Sequence, residues 1–108
     1  MIVYLSPLVP AKVRPGWRHT WVAFLAAEDV REAEALAERL HLGPSRRVRV
    51  NVDGGDVIEY RLNGHEWNQA QRRGAVVLSA EAWIDFVHRL AWGPPVAVDG
   101  KSRGAGEL

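Results

Sequence analysis

The chain has 108 residues, a formal net charge of +1 and an apolar content of 47 %, which suits one folded domain with a single core and little room for a second. Charged residues make up 25 %, an ordinary share for a globular protein, so disorder is not expected. The near-neutral total excludes the overall electrostatic footprint of an avid nucleic-acid binder while leaving room for a local patch, and the absence of cysteine excludes disulfides, thiol nucleophiles and cysteine-ligated zinc.

Ile2-Val3-Tyr4-Leu5 is a short apolar run stopped by Pro7 and Pro10, which predicts a buried first strand and then a proline-stiffened loop closed at Pro15-Gly16. Ser6 interrupts the run and no basic lead precedes it, so neither a signal peptide nor a membrane span is expected, and a cytoplasmic protein is. Trp17, Trp21, Val22, Phe24 and Leu25 mark a second strand that runs through Ala26-Ala27 into a helix. Asp29 with Glu32 opens that helix, Ala33, Leu36, Ala37 and Leu40 recur at helical spacing, and Gly43-Pro44 is expected to end it.

The clearest punctuation lies between Arg47 and Leu90. Val48, Val50 and Val52 alternate with polar residues, as do Val57 and, less regularly, Ile58, Tyr60 and Leu62, with Asp53-Gly54-Gly55-Asp56 between them. That pattern predicts a β-hairpin over 47–62. Asn63 then stands as an N-cap with Glu66 three residues on, Trp67 anchors the helix, and Gly74 stops it. Ala75-Val76-Val77-Leu78 reads as a short strand, and Ser79 opens a last helix with Trp83, Phe86, Val87 and Leu90 on one face. Trp92-Gly93-Pro94-Pro95 ends it, Val96-Ala97-Val98 is an expected edge strand, and residues 99–108 are an expected flexible tail to a globular domain at 1–98.

This order predicts an α/β fold, with α+β as the alternative: a two-layer sandwich in which three helices mainly cover one face of a mixed sheet of about four to five strands.

Several segments, taken in order, carry a resemblance. They are Val3-Tyr4-Leu5-Ser6-Pro7, then Trp21-Val22-Ala23-Phe24, then the helix Glu32 to Leu42, then Glu59-Tyr60-Arg61-Leu62 at a fixed distance before Gly74-Ala75-Val76. Over roughly residues 1–90 the chain resembles the small bacterial and tailed-phage domain-of-unknown-function family number four thousand and thirty-one. Members of that family carry an Asp after the first strand, a Trp-x-His-Leu segment followed by Asp, and a His-Tyr-Asp segment. At the matching positions this chain has Ser6, Ala23, Ala27 and Glu59-Tyr60-Arg61. A His and Asp cluster would suit metal binding or proton transfer. The resemblance therefore implies that any such chemistry in the family is lost here, unless His19 replaces the missing histidine. The 43–58 segment also looks longer than the family's.

Among candidate sites, His19, His41, His65 and His88 show no metal-ligand spacing, and neither a metal nor a cofactor is expected. Arg47, Arg49 and Arg61 would form a basic strip if they share a strand face, extended by Arg72 and Arg73; the alternative is an edge strand kept soluble by its charges. Trp67 and Trp92 are the expected interface residues.

The expected function is a non-catalytic binding or regulatory module of bacterial or phage origin with a protein partner, nucleic acid standing second and a homodimer remaining open. The rival is a metal-dependent hydrolase or nuclease using Asp53, Asp56, Glu59 and His65, which requires those side chains to converge.

Overall fold

A computed structural model describes residues 2–93. In chain order it has β1 (Val3–Leu5), β2 (Val9–Pro10), β3 (Trp21–Ala27), α1 (Val30–Arg39), a 3-10 turn (Pro44–Arg46), β4 (Arg47–Val52), β5 (Gly55–Leu62), α2 (Gly64–Arg72), β6 (Val76–Val77) and α3 (Ala80–Trp92). The strands form one six-stranded mixed sheet in the order β4-β5-β3-β1-β6, with β2 also beside β3. All pairings are antiparallel except β1 with β6. The α+β architecture with three helices and the 47–62 hairpin is as expected, with short β2 and β6 taking the strand count to six. The expected edge strand at 96–98 and the tail at 99–108 lie outside the described residues.

The register decides what each face carries, because directly paired residues in neighbouring strands share a face. Leu5 pairs with Leu25, Leu25 with Tyr60, and Tyr60 with Arg47, while Phe24 pairs with Arg61 and Val48 with Glu59. One face is thus Leu5, Leu25, Tyr60 and Leu62, and α1 lays Ala33, Leu36, Ala37 and Leu40 on it, beside Ala70 and Trp67 of α2. The opposite face offers Tyr4, Phe24, Ala26 and Val52 to Trp83, Phe86 and Val87 of α3. The third helix thereby adds a smaller third layer to the two expected ones. A strand apolar at both parities, as Trp21–Ala27 is, needs cover on both sides. Full burial of Phe86 alone contributes about 2–3 kcal/mol.

Local chemistry fixes the joints. Asp53 (φ 52°) and Gly54 (φ 94°) are both left-handed, the requirement of a two-residue type I′ turn whose twist matches the strands. The Asn51 side chain accepts from Gly54 N at 3.1 Å. Asn63 and Glu66 form the reciprocal capping box that their spacing announced. α1 ends earlier than Gly43-Pro44. Its C-cap is Leu40, His41 adopts φ 58°, and Leu42 N donates to Ala37 O while His41 N donates to Glu38 O. This is the Schellman pattern with a non-glycine residue at its left-handed position.

Candidate functional site

Between β2 and β3 the chain makes an excursion at 11–20 that closes on itself: Arg14 N donates to Trp17 O at 2.8 Å and Trp17 N to Arg14 O at 2.9 Å, with Pro15-Gly16 at the tip. The tip folds its tryptophan inward. Trp17 is only 4 % exposed, and its indole N–H donates to Trp21 O at 3.2 Å. Two guanidiniums stand over its ring, Arg46 with Cζ at 5.0 Å and Arg61 with Cζ at 5.3 Å from the centroid, and the His19 ring meets it edge-on at 4.9 Å. Guanidinium planes are attracted to the negative face of an indole.

The two arginines differ in what neutralises them. Arg46 forms an ion pair with Glu66, the same carboxylate that closes the α2 capping box, and also donates to Arg61 O at 3.1 Å. Arg61 donates to Ser45 O at 3.2 Å, and its Nε is buried with no acceptor among the described residues. Among the described residues it enters no ion pair, and neither do Lys12 or Arg14. These three cations line a cavity of about 240 Å³ with Trp17, Val22 and Phe24 in its walls and no carboxylate among its lining residues. The stretch from Ser6 to Ala27 contains Lys12, Arg14, Arg18 and His19 but no acid. A chain of almost no net charge thus has a basic end.

The anticipated strip of Arg47, Arg49 and Arg61 does not form. Arg47 is paired with Tyr60 and Arg49 with Ile58, so alternation turns Arg61 to the opposite face. Arg47 is 3.1 Å from Glu34 and Arg49 3.6 Å from Asp56, which neutralises both. Arg72 and Arg73 sit at the far end of α2 from Glu66; Arg73 lines a different cavity beside Glu32 and Arg39.

Trp67 is half-buried against the main core and its indole N–H is held by Ser6 O at 3.0 Å, so it serves as the helix anchor rather than as an exposed interface. Trp92 is 59 % exposed and Ile84 58 %. Both lie on α3, and Trp92 also donates to Val52 O at 3.0 Å at the hairpin turn.

Asp53, Asp56, Glu59 and His65 are not brought together. Asp53 lies at the hairpin turn 3.0 Å from His88, Asp56 is beside Arg49, and both are exposed. Glu59, three residues from Asp56 on the same strand, points to the other face, and His65 is exposed on α2. Among the described residues no group of three metal-ligating side chains could hold an ion.

Glu59 is unusual for another reason. It is 4 % exposed, and burial pushes its carboxyl up to about 7. No helix of the described residues is long and apolar enough to cross a membrane.

No protein-family model matches the chain, and neither a curated protein nor a solved structure resembles it closely enough to count as a match.

Lys12, Arg14 and Trp17 escaped the sequence reading as a site because nothing local links them to Arg61. The available signal was the acid-free run from Ser6 to Ala27.

Proposed function

We propose that this chain is a non-catalytic binding module that engages an acidic partner protein through its basic end, the 11–20 tip together with Arg61. One observation carries the reading: three cations, Lys12, Arg14 and Arg61, surround a single cavity from which carboxylates are absent, while the other arginines near the hairpin are neutralised in place. Charge left uncompensated around a concavity is suited to an anionic group supplied from outside.

A protein partner is favoured over single-stranded nucleic acid by Trp17. Stacking platforms need exposed aromatic faces, and this ring is buried beneath two guanidiniums. Nucleic acid is the second reading, supported by the exposure of Lys12, Arg14 and Arg18. An origin in a bacterium or phage, and a cytoplasmic setting, accompany the reading. Self-association would use the outward Ile84 and Trp92 of α3 instead.

Capture from source-cell lysate tests this, using the full chain and a Lys12→Ala/Arg14→Ala variant, with nuclease added to half of each sample. Both side chains are exposed and, among the described residues, outside any ion pair, so their loss leaves stability within about 0.5 kcal/mol. A protein kept after nuclease and lost by the variant supports the proposal. A partner retained equally by the variant contradicts it.

A further inference from the structure

We propose that the cavity between the 11–20 tip and β5 takes a phosphate monoester, gripped by Arg61, Arg14 and Lys12. The assignment rests on the binding-module reading for its location and extends it by naming the chemical group recognised.

Charge comes first. Three cations line the cavity and no carboxylate does, so a dianion is matched better than a single carboxylate. Arg61 enters no ion pair among the described residues, and Glu66, the partner of neighbouring Arg46, is committed there and to the N-cap of α2.

The second observation is an N–H without a partner. Arg61 Nε is buried and has no acceptor among the described residues, although buried donors are nearly always satisfied. The rest of that guanidinium is held in place by Ser45 O at 3.2 Å and by the Trp17 ring. With the guanidinium held by Ser45 O and the Trp17 ring where Arg61 lines the cavity, the ordering entropy of a free arginine is already spent.

The walls decide between a free ion and an ester. Trp17, Val22 and Phe24 are apolar, and a bare phosphate would give up hydration to them with nothing in return. An organic group attached to the phosphate would instead bury its own apolar surface there, and about 240 Å³ accommodates a phosphate with a small substituent.

Isothermal titration of the full chain tests the assignment with four probes: inorganic phosphate, a phosphoserine peptide, the same peptide unphosphorylated, and adenosine 5′-monophosphate. At least one monoester is expected to bind about tenfold more tightly than inorganic phosphate, with the unphosphorylated peptide silent, and Arg14→Ala to weaken binding about tenfold. The phosphopeptide alone binding assigns the group to a partner protein; the nucleotide alone assigns it to a small ligand; both binding assigns the monoester itself.

Two results overturn the assignment: no monoester binding, or equal binding by Arg14→Ala. Arg61→Lys, which keeps the charge but removes Nε from the fork, is expected to weaken the monoester by a similar factor with the far-ultraviolet spectrum unchanged. Partner capture without phosphate binding would leave the module standing and remove only this inference.

Discussion

The Arg61 guanidinium stands over the Trp17 ring, 5.3 Å from its centroid, and this pairing joins the tip of the first excursion to the central hairpin. It places the one hairpin arginine that faces away from α1 against the most deeply buried indole of the described residues. Trp17→Ala should therefore unfasten two elements at once. Truncating a buried aromatic costs about 3–5 kcal/mol, and partner capture should fall with it. Trp17→Phe keeps one ring for the guanidiniums but loses the bond to Trp21 O and the packing of the second ring, so a smaller loss of about 1–3 kcal/mol is expected. Urea denaturation distinguishes the two.

Glu59 should make stability fall as pH rises. Its carboxyl ordinarily titrates at 4.5, and burial raises it to about 7 in the fold. Between those values the native state keeps a proton that the unfolded chain has released, so stability is greatest below the unfolded value and declines through the window. The loss is about 3 kcal/mol by pH 8. Glu59→Gln should flatten that part of the profile and exceed the wild type at pH 8, as read by thermal melts at pH 5, 6, 7 and 8.

His41→Gly should stabilise the protein. The left-handed backbone at φ 58° is costly for histidine and free for glycine, and about 1 kcal/mol is expected despite the greater freedom that glycine gives the unfolded chain. An unchanged or lower urea midpoint would show that the His41 side chain compensates.

Gly55→Ala should do the opposite for a different reason. A methyl group there would meet Ala91 O at 2.8 Å and Ala91 Cβ at 3.0 Å, so the hairpin and α3 must separate. Overpacking of this kind costs about 1–3 kcal/mol, and the Trp92 indole bond to Val52 O should lengthen with it.

Most of the fold was legible because its signals are local. Asn63 and Glu66 cap α2, Gly74 stops it, Asp53-Gly54 turns the hairpin, and the stripe Trp83, Phe86, Val87 defines α3. The end of α1 was misread because a Schellman motif needs backbone conformation more than glycine, and His41 supplies it. The site was less legible for a reason of parity and distance. Which face Arg61 occupies depends on one step of register, and its approach to Trp17 spans parts of the chain that no periodicity connects. The coupling of Arg46 to Glu66 was equally hidden, since Glu66 already had a sufficient local role as a cap residue.

Amide hydrogen exchange on the full chain, with and without the partner recovered by capture, bears on whether the basic end is the binding face. Added protection is expected across residues 11–20 and at the strand positions around Arg61, with α3 unchanged. Protection confined to α3 around Ile84 and Trp92, with residues 11–20 exchanging as in the free protein, would contradict it.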